Sequence, residues 1–249
     1  MTQALTTGNS IKPLRNVAAM TMLATELMDR TFGLPGLGVF HGPSGLGKSF
    51  ASASVCASLD AIHISIESDW TASMLYFAIL SELGVTARGT VAEKSYQCKQ
   101  ELMRANRLLI LDEADYLIKK RSSPMIERVR DIHDKAGIPI ILVGMEELPQ
   151  KLRQWEQVDN RVYRWVGAER ADLQDTEMLA DHYANGITIT SDLLEHIRTR
   201  NDGVVRKMAM DFAYVAQQSH LMGLNTMSLD QWGEAPFLRN EAPRSRRVA

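Results

Sequence analysis

The chain has 249 residues, 45% of them hydrophobic and 23% charged, with a formal net charge of −2. That is long enough to bury a full core and suits one domain, or one domain with a small appendage. No run such as Leu108–Leu111 or Ile138–Val143 is long enough to span a bilayer, and a charge near zero singles out no class of partner, so any nucleic-acid contact must come from local basic patches.

Met1–Leu14 lacks a basic start followed by an apolar stretch, which predicts no secretory signal. Cys56 and Cys98 are isolated and lack metal-ligand spacing, as expected for free thiols in a reducing cytoplasm. The six histidines, from His41 to His220, form no ligand spacing either.

Apolar residues at helical spacing predict a first helix over Leu14–Arg30, ended by Gly33, Pro35 and Gly36. Leu37–His41 reads as a buried strand feeding a glycine-rich loop, and Ser49–Leu59 as the helix after it. Ala61–Ile66 predicts a second strand. Thr71–Leu83 predicts a helix with Thr71 as N-cap and Gly84 as stop. Arg88–Glu93 reads as a polar loop and Lys94–Ala105 as a helix. Arg107–Leu111, Ile138–Val143 and Arg161–Val166 complete the strands, with helices at Pro124–Ala136 and Leu148–Arg153 between them. Nearly all-apolar strands alternating with helices predict an α/β fold, a parallel sheet covered on both faces.

From about Ala171 the strand signals stop, and Asp172–Ala184, Ser191–Arg200 and Val204–His220 read as helices. The expected organisation is an α/β domain over 1–170, an all-α domain over 171–233 and a loosely ordered tail over 234–249.

Gly42-Pro43-Ser44-Gly45-Leu46-Gly47-Lys48-Ser49 fits the phosphate-loop pattern G-x-x-x-x-G-K-[ST] at every fixed position. A chance match in such a chain arises roughly once in a hundred sequences, and this one lies between a strand and a helix, as its mechanism needs. Loop amides and the helix N-terminus face phosphate oxygens, Lys48 reaches the β- and γ-phosphates, and the Ser49 hydroxyl ligates Mg²⁺. Phe50 follows within the same segment. Downstream, Leu108–Leu111 runs into Asp112 and Glu113. A buried strand ending this way delivers Asp112 to the metal and places Glu113 to polarise an attacking water. The two motifs together predict an ATP–Mg²⁺-dependent ATPase in which Lys48, Asp112 and Glu113 are catalytic.

On these two motifs, followed by a strand and a helical lid, the chain resembles the AAA+ ATPases over roughly residues 10–225. The resemblance implies a five-stranded parallel P-loop NTPase sheet, a small all-α lid, and oligomers with ATP between subunits. It also points to three further positions. Where the family has a polar sensor residue after the fourth strand, this chain has Gly144-Met145-Glu146, a departure that bears on hydrolysis rather than binding. Arg161, with Arg164 second, stands where the family carries its arginine finger. Gly203-Val204-Val205-Arg206 resembles the start of a lid helix whose arginine folds back onto the nucleotide, with Lys207 as the fallback.

Within that family, chain size, the compact lid and the segment ending in Leu83-Gly84-Val85 are similar to the transposition regulators, the group of the Mu-like phage transposition protein B, TniB and TnsC. That resemblance implies a homo-oligomeric ring or filament on double-stranded DNA that presents the target to a transposase and disassembles on hydrolysis. Arg88, Lys94 and Lys99, and Lys119, Lys120 and Arg121, are the candidate phosphate contacts. A solvated charged face is the plain alternative for each group, and the Arg244–Arg247 run reads as a solubilising end. The competing functional readings are a helicase-loader-type ATPase and a nucleotide-switched scaffold without DNA.

Overall fold

The computed structural model describes residues 14–31, 33–118 and 125–238. Its centre is a five-stranded sheet made of β1 (Leu37–His41), β2 (Ile62–Ser65), β3 (Leu109–Asp112), β4 (Ile140–Gly144) and β5 (Val162–Gly167). The strands lie in the order β2-β3-β4-β1-β5, and every pairing is parallel. The alternation of strands and helices predicts a parallel α/β sheet, and the five-stranded P-loop AAA+ arrangement is the one that the family resemblance implies.

Side chains alternate between the two faces of a strand, and the two apolar layers follow from that. Leu109, Leu111, Ile140 and Leu142 enter the layer beneath α3 (Ala72–Glu82), α4 (Val91–Ala105) and α5 (Met125–Ala136). Ile110, Ile141 and Val143 enter the opposite layer, with Met20 and Leu27 of α1 (Arg15–Met28) and Val55 of α2 (Lys48–Leu59). Each such aliphatic side chain contributes about 1.5–3 kcal/mol by leaving water, so both helical layers are held to the sheet.

Register then brings the site together. His41 lies beside Gly144, and Asp112 beside Ser65, so β1, β4 and β3 end along one edge of the sheet. The phosphate loop leaves β1 there and the acidic pair leaves β3, with the end of β4 between them.

Between β4 and β5 lie α6 (Leu148–Leu152) and α7 (Glu156–Asp159), and after β5 come α8 (Leu173–Tyr183), α9 (Ser191–Arg200), α10 (Val205–Leu221) and α11 (Leu229–Trp232). The last four enclose an apolar cluster of their own, including Leu179, Ile197, Met208, Phe212, Val215 and Trp232. Strand structure does not stop at Ala171: β6 (Thr188–Ile189) and β7 (Thr226–Met227) form a two-residue parallel pair, too short to leave a period in the sequence. Nor does the chain leave the lid at Glu234, because Phe237 is buried in the same cluster and stacks against His196. The Arg244–Arg247 run and Lys119, Lys120 and Arg121 lie outside the described residues.

One helix begins earlier than its sequence pattern suggests. Val91–Glu93 is helical rather than loop, because Thr90 and Glu93 form a capping box: the Glu93 N–H donates to Thr90 Oγ1 (3.3 Å) and the Thr90 N–H donates to Glu93 Oε2 (2.7 Å). At Thr71 the predicted cap is present, its side chain accepting from the Met74 N–H. No helix among the described residues is long and apolar enough to cross a membrane.

Candidate functional site

A cleft of about 470 Å³ opens at the common edge of β1, β4 and β3. Ser44, Gly45, Gly47, Lys48, Ser49 and Phe50 line it from the phosphate loop, and Asp112 and Glu113 from β3. Gly144 and Met145 stand between them, and Tyr183, Val205, Arg206, Ala209 and Met210 close it from the lid. Gly42 and Leu46 are buried behind the loop, with Pro43 partly exposed.

Lys48 is the central cation. Its Nζ donates to the carbonyls of Gly42 (2.7 Å) and Pro43 (2.8 Å), so the side chain arches over its own loop. Burial lowers its pKa, and Arg206 pushes the same way, while Asp112, Glu113 and Asp115 oppose them. An anion entering the cleft therefore meets a partly desolvated ammonium, whose attraction is larger than at an exposed lysine.

Asp112 is buried, and burial alone would raise its pKa. Contacts from the His63 imidazole, the Ser49 hydroxyl and the Glu113 N–H outweigh that and hold it below the ordinary value. The N–H of Glu113 donates to Asp112 Oδ1 at 2.8 Å. His63 Nε2 lies 3.9 Å from Asp112 Oδ2, beyond hydrogen-bond range. Ser49 and Asp112 thus present a hydroxyl and an ionised carboxylate to the same point. Such a hard oxygen pair fits Mg²⁺, which keeps several of its waters and takes one or two protein ligands beside phosphate oxygens.

Glu113 is exposed in the cleft and has φ +57. A non-glycine residue in that region is strained by about 1–2 kcal/mol, and such strain concentrates where a side chain must be aimed. The carbonyl of Glu113 accepts from the Tyr116 N–H at 3.0 Å, which starts a 3-10 turn over Ala114–Ile118.

The remaining expected positions divide. Arg206 lies in the cleft. Arg161 does not: its carbonyl accepts from the Leu37 N–H, at the start of β1, so it sits about five strand residues, roughly 16 Å, from the loop that leaves β1's other end. Its Nε donates to Asp134 at 2.8 and 3.0 Å, and its Nη1 to the Gln157 carbonyl at 2.8 Å. Arg164 is paired with Glu26 of α1. Glu146 is exposed after β4 and is not among the residues lining the cleft. Of the proposed DNA contacts, Arg88 is exposed, Lys99 half-buried, and Lys94 half-buried with its Nζ donating to Ser73 Oγ (3.0 Å).

Three residues bear on the site that sequence reasoning passed over. Asp115 sits behind the end of β4. His63 approaches Asp112 from β2. Asn16 is buried at the start of α1, where its Nδ2 donates to the Leu46 and Glu169 carbonyls and its Oδ1 accepts from the Glu169 N–H. A signal existed for the first, two residues after Glu113, and for the last, a lone Asn on an apolar helix face. His63 carried none.

Phosphate loop, acidic strand end and strand order define a P-loop AAA+ fold. In agreement, the sequence profile of the AAA domain matches residues 32–152. No curated protein matches the chain. Among solved structures, the Aeropyrum pernix ORC1 protein in complex with DNA superposes with a TM-score of 0.62 at 14% identity, 85% of this chain lying on 61% of that one. The Aeropyrum pernix ORC2 protein in its ADPNP-ADP complexes gives 0.66 at 16%, 90% lying on 68%. CDC6P from Pyrobaculum aerophilum gives 0.65 at 16%, 88% lying on 66%. The chain thus spans between 61% and 68% of the length of these proteins, which share its fold.

Proposed function

We propose that the chain binds ATP–Mg²⁺ in this cleft, hydrolyses it, and acts as an ATP-dependent DNA-binding regulator of transposition. It assembles as a homo-oligomer on duplex target DNA, presents that DNA to a transposase and comes apart on hydrolysis. The observation that carries the reading is the convergence of Lys48, Ser49, Asp112, Glu113 and Arg206 on one cleft. Loop amides and Lys48 hold the triphosphate, with Arg206 facing it from the lid. Ser49 and Asp112 would hold Mg²⁺, which would supply positive charge to offset that of the triphosphate. Glu113 orients a water whose oxygen bonds to the γ-phosphorus as the bond to the β,γ-bridging oxygen breaks, and accepts the proton released. Arg161 lies too far from its own loop to take part there, and in this reading it serves the neighbouring subunit's γ-phosphate.

Arg88, Lys94 and Lys99 supply DNA phosphate contacts in this reading, with Lys119, Lys120 and Arg121 from the adjoining segment. The likeness to an ORC1 protein solved with DNA supports a DNA partner and favours a second reading, an initiator- or helicase-loader-type ATPase. Two measurements test the proposal. Calorimetry with Mg–ATP must give heat with the native protein and none with Lys48→Ala. Electron microscopy with a non-hydrolysable ATP analogue must then give ordered filaments on duplex DNA. Assembly only on single-stranded DNA selects the loader reading, and no assembly on either form removes DNA from the function.

A further inference from the structure

We propose that Asp115 is the positioning residue that ties the catalytic end of β3 to the end of β4, in place of the side chain that Gly144 lacks. This rests on the ATPase reading of the cleft. Asp115 lies in the 3-10 turn that begins after Glu113, with its side chain only 12% exposed. Its Oδ2 accepts from the Met145 N–H at 2.7 Å, and its Oδ1 from Lys151 Nζ on α6 at 2.8 Å. The pairing raises the Lys151 pKa, as a half-buried carboxylate beside an ammonium should.

The glycine at 144 is what makes room. A Cβ built there would stand 2.4 Å from Asp115 Oδ2 and 2.7 Å from Leu148 Cδ2. A side chain at residue 144 and the Asp115 carboxylate therefore exclude each other. The Gly144 carbonyl in turn accepts from the Gly42 N–H at 3.3 Å. A continuous set of bonds thus runs from the turn behind Glu113, through Asp115, Met145 and Gly144, to the first residue of the phosphate loop. Its effect is to fix where the strained Glu113 backbone, and so its carboxylate, stands relative to the loop. Asp115 touches no reacting atom itself; it acts through Glu113.

Mg–ATP turnover is measured with duplex DNA present for the native protein, Asp115→Asn, Glu113→Gln and the double variant, beside ADP affinity and thermal midpoint. Asp115→Asn is expected to lower kcat about tenfold or more with ADP affinity within about twofold, because misplacement of the water-orienting group costs rate rather than binding. The double variant is expected to be no slower than Glu113→Gln alone, since the two residues act as one unit. Gly144→Ala, which presses a methyl against the same carboxylate, must reproduce the kcat loss and serves if Asp115→Asn does not fold. Unchanged kcat in both single variants, losses that multiply in the double variant, or affinity falling in step with the thermal midpoint overturns the proposal. Native protein that binds Mg–ATP without turning it over overturns the ATPase reading and this inference together; turnover untouched by the variants overturns the inference alone.

Discussion

The backbone N–H of Arg206, at the start of α10, donates to the carbonyl of Gly45 at 3.0 Å. The lid is therefore bonded to the phosphate loop itself. Val204 completes the contact: a Cβ on Gly45 would come within 2.9 Å of its Cγ1, and Gly45 has φ +86. Gly45→Ala is expected to be costly twice, by about 1–2 kcal/mol for the left-handed backbone and by the clash with Val204. Calorimetric ADP affinity should fall about tenfold or more, and Val204→Ala should recover the part due to the clash. If the second substitution recovers nothing, the lid contact is not what the glycine serves.

Glu113→Gln removes the carboxylate that orients water while leaving Lys48, Ser49 and Asp112 in place. Nucleotide affinity is expected to stay within about twofold of the native value, while turnover falls by two or more orders of magnitude. Steady-state phosphate release checks this, and on DNA the variant should remain assembled after ATP is added. Normal turnover would move the water-orienting role to another group.

Thr90 and Glu93 set the start of α4 through reciprocal bonds. Thr90→Ala removes the side-chain acceptor for the Glu93 N–H and is expected to cost about 1 kcal/mol, read as a thermal midpoint about 2–4 °C lower in a chain of this size. Thr90→Ser should restore most of it. Because α4 packs on α3 and α5 rather than on the cleft, nucleotide affinity should not change.

Much of this molecule was legible in the sequence because it rests on local signals. Strands such as Leu108–Leu111 are apolar throughout because both faces are covered, and the phosphate loop needs its glycines in a fixed pattern. Two of the residues that were missed act across strands. Asp115 reads as one more acid in an Asp-Glu-Ala-Asp run until β4 is placed beside β3, and His63 meets Asp112 only through the β2–β3 register. The same pairing explains Gly144, which a strand-by-strand reading could register only as a missing polar residue. Arg161 shows the reverse case: its position along the chain pointed to a role, and only the sheet reveals that it stands at the far end from its own loop.

Burial raises both cysteine pKa values, Cys56 to about 11 and Cys98 to about 12. At pH near 8, a thiol with a pKa of about 11 is ionised to only about one part in a thousand, against roughly a quarter for a free cysteine. Native protein is therefore expected to react slowly with a disulfide reagent at that pH, Cys98 more slowly than Cys56, and both rapidly in denaturant. The sign for stability follows. A thiol whose folded value is raised contributes fully below its unfolded value, and the contribution is lost as pH climbs toward the folded one. Cys98→Ala should flatten the fall in urea midpoint above about pH 8.5; an unchanged slope would assign that fall to other groups.

Arg161 is held on two sides, by Asp134 and by the Gln157 carbonyl, and the Asp134 carboxylate is in turn kept below its ordinary pKa; burial opposes this but the Arg161 bonds outweigh it. A guanidinium fixed in this way loses little side-chain entropy when a phosphate arrives, which suits a residue offered to a neighbour. If Arg161 acts in trans, Arg161→Ala and Lys48→Ala should each be inactive alone yet regain turnover when mixed. In the mixture an intact phosphate loop from the first variant can face an intact arginine from the second. Phosphate release on duplex DNA, followed as the ratio of the two is varied, should peak near equal amounts. A mixture no more active than its components would leave Arg161 as a structural partner of Asp134, securing α5 to the start of β5, and would make Arg164, once released from Glu26, the residue to test next.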